Sequence, residues 1–314
     1  MNKERLPSYG GQALMEGVLM RGSRTAAAAV RKPDGTIEII KEDLSGIYLS
    51  RIRKIPFLRG LIGLWDSLGL GTHFLTLSAN LQAEKEEEKI DGPAIFLTIA
   101  VALLISVGLF FMLPALLGQL SETALTWDPW FSNLLEGIVR LILIILYIWA
   151  VGRMKDIKRV FAYHGAEHKT INAFEDGAEL TPENVSKYSV EHPRCGTGFL
   201  LIVAVVSIFV FTLLGPMNIF WRLATRVLFI PIIIGISYEY MRWTANNMDK
   251  KWVRILVTPN LMLQRLTTQE PDLDILEVSI TAFNAMYETE KAWQEEQANK
   301  AAHEDELLLK PEAY

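Results

Sequence analysis

At 314 residues the chain has room for a membrane domain plus about one soluble domain; half of its residues are hydrophobic and its mean hydropathy is +0.21. A formal charge of −5 provides no global basic surface, so no nucleic-acid partner is expected. The single cysteine, Cys195, excludes an internal disulfide framework and suits polar parts held in a reducing compartment.

The N-terminal segment (1–54) opens with MNKERLPSYGGQALMEG, which has no apolar core of the signal-peptide kind, so no cleavable leader is expected. Gly10, Gly11, Gly17 and Gly22 do not form a P-loop, because no G-K-[ST] follows. The stretch reads as a tightly turned segment packed on its surroundings, with Glu16 and Arg21 able to pair or to contact a ligand. Pro33-Asp34-Gly35 then separates two runs containing valine and isoleucine. Proline presets φ and glycine accepts φ > 0, which predicts a hairpin of 25–31 against 36–41. In the next segment (55–92), Arg59, Asp66 and His73 recur every seven residues, hence on one helical face, while Gly60, Gly63, Gly69 and Gly71 interrupt it. An interfacial or re-entrant helical pair is expected there, with a further span as the alternative. EKEEEK at 84–89 reads as a solvated helix end.

A helix needs about 20 apolar residues to cross the ~30 Å hydrocarbon core. Four stretches meet this: FLTIAVALLISVGLFFMLPALLG and LLEGIVRLILIILYIWAVG within 93–151, then FLLIVAVVSIFVFTLLG and LATRVLFIPIIIGISYEY within 199–240. Soluble core helices seldom run this far without a polar stripe. QLSETALTWDPWFSN carries no Lys or Arg, whereas GRMKDIKR and MRWTANNMDKKWVR carry four each. Positive charge stays inside, so both termini and the loop 152–198 are expected in the cytoplasm. Arg140 and Arg226 then fall toward the outer ends of their helices, where snorkelling to the interface is expected and a polar cavity is the alternative.

The loop 152–198 holds three of the five histidines and the cysteine. His164, Glu167 and His168 form H-x-x-E-H; on a helix both imidazoles share one face a turn apart, able to hold zinc, with the glutamate as general base on water. HPRCG supplies His192 and Cys195 as candidates to complete the site, Glu175 is a further one, and Arg194 could stabilise developing negative charge. The bland alternative makes the histidines helix-bridging polar residues and Cys195 a small buried hydrophobe. The segment 241–297 is read as cytoplasmic, with a helix from about 272 that buries Ile275, Leu276, Ile280, Phe283 and Met286; 298–314 is a charged tail, expected to be disordered.

GGQALMEGVLMRG, YHGAEHKTINAFE, HPRCGTGF and LMLQRLTTQEPDLDILEV, in that order from about residue 8 to 288, resemble the bacterial YqhQ-like family. This is a domain of unknown function, some of whose members are labelled predicted metal-dependent enzymes, and the resemblance implies a multi-span protein of the bacterial inner membrane. The expected architecture is thus an α-helical integral membrane protein of about four transmembrane helices. A small α+β cytoplasmic domain is assembled from the N-terminal segment, the central loop and the C-terminal segment. The leading function is a divalent-metal site, zinc by its ligand chemistry, in a hydrolase acting on a lipid or membrane-protein substrate at the bilayer. A non-catalytic membrane scaffold or assembly factor is the rival, and a transporter the third reading.

Overall fold

The computed structural model describes residues 9–44, 55–83, 92–215 and 217–309, so EKEEEK lies outside the described residues. The chain is mostly helical, with one small sheet near its start. Strands β1 (Gly10–Leu14), β2 (Gly17–Arg21), β3 (Thr25–Arg31) and β4 (Ile37–Asp43) form an antiparallel meander in the order β1-β2-β3-β4. The expected β3–β4 hairpin is present, with Arg31 opposite Ile37 and Thr25 opposite Asp43. The glycine-rich segment before it is a second hairpin, turning at Met15–Glu16.

The alanines of β3 explain the layering. Ala26, Ala28 and Val30 face helix α1 (Leu58–Gln82) through Leu70 and Phe74. Ala27 and Ala29 face α5 (Lys155–Glu175) and α11 (Leu273–Leu309), meeting residues such as Tyr163, Ile171, Leu276 and Phe283. Side chains this small let helices press on both faces of the sheet, and burial of the larger partners supplies the stability. The predicted core residues of α11, Ile275, Leu276, Ile280, Phe283 and Met286, are all buried here. The helix runs to Leu309, past the boundary placed at 298 by the charge pattern.

Helix α1 is one continuous helix, a correction to the broken pair expected from its glycines. They are points of close approach: a Cβ on Gly60 would strike Tyr238, and one on Gly71 would strike the Gln12 side chain. The Arg59 guanidinium pairs with Glu239 and His73 with Glu42, which accounts for two of the three polar residues on that face.

Among the described residues, three helical stretches are each long and apolar enough to cross a membrane. The first, Ala94–Ala124, combines α2 (Gly92–Val107), a π-helical turn (Gly108–Met112) and α3 (Leu113–Ala124). The others are α4 (Pro129–Val151) and α7 (Gly196–Leu213). The fourth predicted span is built of two helices, α8 (Ile219–Leu228) and α9 (Ile230–Ala245), bent by 45°, which together are long and apolar enough to cross. Pro231, in the first turn of α9, lacks the N–H that would carry the helix through.

Arg140 and Arg226 do not snorkel. Both are buried, together with Arg222 and Glu136. Arg226 donates to both oxygens of Glu136, Arg140 donates to Glu136, to Ser207 and to the Phe110 carbonyl, and Arg222 donates to Glu122 and Asn133. The π-helical turn supplies that carbonyl, since a widened turn releases it from the ordinary helical ladder. Among surrounding helices, guanidinium groups find fixed partners at less cost than extending to water.

Candidate metal centre

Helix α5 carries the H-x-x-E-H motif on its buried side. Gly165 in mid-helix costs about 1 kcal/mol relative to alanine. Its reason is tertiary: a Cβ there would collide with the Gln269 carbonyl of the segment leading into α11. His164 and His168 lie one turn apart with ring centroids separated by 4.4 Å. Each is aimed by its Nδ1. The Thr267 carbonyl accepts from His164 Nδ1 at 2.9 Å, and the Val190 carbonyl accepts from His168 Nδ1 at 2.5 Å. A carbonyl only accepts, so both Nδ1 atoms carry the proton and both Nε2 atoms are left to face the site.

Cys195 completes the group from the other side. His192-Pro193-Arg194-Cys195 is a turn closed by the Cys195 N–H on the His192 carbonyl, and Cys195 is the N-cap of α7. Its Sγ accepts from the Thr197 N–H and stands 3.2 Å from His164 Nε2. The ligand atoms of His164, His168 and Cys195 all lie within 4.8 Å of one another. Tetrahedral zinc, with bonds of ~2.0–2.3 Å, separates its donors by roughly 3.3–3.8 Å, so the set fits with small side-chain adjustments and leaves a fourth position open.

The electrostatics follow from burial and from these contacts. Burial pushes the Cys195 thiol up, but hydrogen bonds and charge from His164 and His168 outweigh it and hold the thiol well below its ordinary value. Burial likewise pushes His164 down, but Cys195, Glu167 and the Thr267 carbonyl raise it to about 9. Glu167 is buried beside both imidazoles, and burial raises its carboxyl despite their charge and a hydrogen bond from the Gly11 N–H. That close approach accounts for Gly11 of β1: a Cβ there would stand 3.1 Å from the Glu167 side chain and against the Leu19 carbonyl. A carboxylate with a raised pKa is better matched to taking a proton near neutral pH.

The other predicted residues sit beside this group. The His192 ring is 5.7 Å from that of His168, and its backbone N–H and carbonyl are both held by the Gln264 side chain. Its Nε2 is buried without a hydrogen bond, with Glu175 Oε2 at 3.9 Å. Glu175 is ion-paired with Arg194. Burial pushes the Glu175 carboxyl up, but His192 and Arg194 hold it below the usual range. Glu16 pairs with Arg159 and accepts from the Tyr163 hydroxyl, so it anchors the β1–β2 turn to α5.

Four separated stretches of sequence thus meet at one place: β1 at Glu167, the motif on α5, the turn before α7, and the Gln264–Gln269 segment. These are the four blocks that resemble the YqhQ-like family. The family model for proteins of unknown function designated DUF1385 matches residues 55–289. The chain belongs to this family. It is also 35% identical, across 96% of its own length and 99% of the relative's, to the uncharacterized protein YqhQ of Bacillus subtilis strain 168. No solved structure matches the chain. Gly11, Val190, Gln264 and Thr267 were not identifiable as site residues from chemistry alone, because three of them act mainly through backbone groups. Their only signal was membership of, or adjacency to, those blocks.

Proposed function

We propose that this is an integral membrane protein with a divalent-metal centre, of the zinc class, at its cytoplasmic face, and that the centre serves hydrolysis of a membrane-proximal substrate. The observation that carries the metal reading is the pair of Nδ1–carbonyl bonds, which orients two imidazole Nε2 atoms toward one thiolate. The membrane reading rests on the apolar helices and on exposed aromatic residues near their ends. Trp149, Trp243 and Trp252 stand near basic residues, and Trp127, Trp130, Phe220 and Trp221 lie at or beside the helix ends expected outside.

In this reading His164, His168 and Cys195 hold the ion, which supplies Lewis acidity. Glu167 takes the proton of the attacking water, held in place by the Gly11 N–H. His192, fixed by Gln264, stands next to His168 with an uncommitted Nε2 that can donate to a substrate oxygen. The specific observation on the scaffold side is that Cys195 and His164 already satisfy each other by a hydrogen bond.

Two variants separate the readings. His168→Ala removes a ligand, so bound metal should fall severalfold and thermal stability with it. Glu167→Gln keeps shape, fold and metal but should abolish complementation of a deletion strain. A Glu167→Gln protein that is folded, metal-loaded and fully active would exclude the hydrolase.

A further inference from the structure

Helix α10 (Lys251–Gln264) presents different chemistry on different faces. Val253, Val257, Asn260 and Gln264 recur at helical spacing and are buried, and Asn260 lies against Gly198 of α7. Trp252, Ile255, Leu256 and Met262 are apolar and exposed. Lys250, Lys251 and Arg254 are exposed at its N-terminal end, and none has an acidic partner in an ion pair among the described residues. From Lys250 to Gln269 the chain carries four cations and no acid. At 1.5 Å per residue the helix is about 21 Å long, too short to cross ~30 Å of hydrocarbon. Its Trp252 ring is 5.4 Å from Trp243 of α9, which continues the aromatic and basic belt at that end of the apolar helices.

We propose that α10 lies in the plane of an anionic lipid surface, with its apolar face sunk at the acyl-chain boundary and Lys250, Lys251 and Arg254 against headgroup phosphates. This rests on the membrane reading above and gives the metal centre a depth. The buried side of the helix carries Gln264, which fixes His192, and the chain continues directly into Thr267, which aims His164. The centre therefore stands at headgroup level, and the substrate it suits has its scissile bond at the polar–apolar boundary of a lipid. A basic amphipathic helix with tryptophan on its apolar side has the composition of an interfacial anchor.

The test uses full-length protein spin-labelled at Ile255→Cys or Met262→Cys, with Phe209→Cys on the exposed side of α7 as a depth control. It is reconstituted in vesicles of phosphatidylcholine with or without phosphatidylglycerol. Unmutated protein, whose one cysteine is buried, gives the background. Labels at 255 and 262 should be more accessible to oxygen than to a water-soluble nickel chelate, at matching depths on the order of 5–10 Å. Lys250→Glu/Lys251→Glu/Arg254→Glu should shift the 255 label toward nickel only where phosphatidylglycerol is present, and the milder Lys251→Gln/Arg254→Gln should shift it less. Labels at 255 and 262 that are water-exposed, or immobilised by protein, while the Phe209 label is deep would overturn the proposal and leave the membrane reading intact. A charge-reversal effect independent of phosphatidylglycerol would also overturn it. A Phe209 label in water would remove the membrane reading itself.

Discussion

Two buried polar clusters in this molecule solve the problem of burial in opposite ways. Around Glu136, among the apolar helices, each donor of Arg140 and Arg226 that points inward ends on an acceptor, and Phe211 covers the face of Arg226. Around Cys195, the backbone satisfies the outer nitrogens of two histidines and aims the inner ones at a single point. A saturated network holds helices in register, whereas a convergent set of lone pairs is ready for a cation. Burial and charge alone do not distinguish the two; the convergence of three ligand atoms within 4.8 Å of one another does.

That contrast can be broken by mutation. Glu136→Gln leaves Arg140 and Arg226 without their shared carboxylate and should destabilise the protein by about 3–5 kcal/mol, the cost of uncompensated buried charge. Glu167→Gln, at an equally buried glutamate, should leave thermal unfolding far less affected. Comparable losses in detergent melting curves would mean that the two clusters are both structural.

A substitution remote from both clusters calibrates the scale. A Cβ on Gly17 would lie 2.5 Å from the Ala29 carbonyl and 2.9 Å from Val30 Cγ2 across the β2–β3 pairing. Gly17→Val should therefore cost about 1–3 kcal/mol by overpacking, with metal content per folded chain unchanged. Unaltered melting would show that the sheet relaxes there.

Proton competition gives the finest distinction. His164 is raised from 6.5 to about 9, so in metal-free protein its protonated form adds stability below pH 6.5, and that contribution is lost as pH climbs to about 9. A metal must displace the same proton, so affinity measured against a chromophoric chelator should rise roughly tenfold per pH unit through that window. A flat profile would mean that His164 is not a ligand.

The sequence made local chemistry legible and concealed chemistry made by distant contacts. His164 and His168 were assignable because one helical turn separates them, and the β3–β4 hairpin because Pro33-Asp34-Gly35 has turn chemistry. The β1–β2 hairpin was not visible as one, because Glu16 occupies φ = 52° where glycine or asparagine would announce a turn. Its ion pair with Arg159 anchors that conformation from 143 residues away. Arg226 was misread because its partner Glu136 is 90 residues distant, and only the packed helices bring them together. The carbonyls that aim the histidines carry no side-chain signature at all.

The account turns on whether His164, His168 and Cys195 hold an ion. Elemental analysis of full-length protein purified in detergent without chelators measures this directly, alongside a Cys195→Ser variant. The predicted result is about one zinc-class divalent ion per chain in the unmutated protein and a marked loss in the variant. Folded, unmutated protein that carries no metal and takes up none on addition of zinc would contradict it.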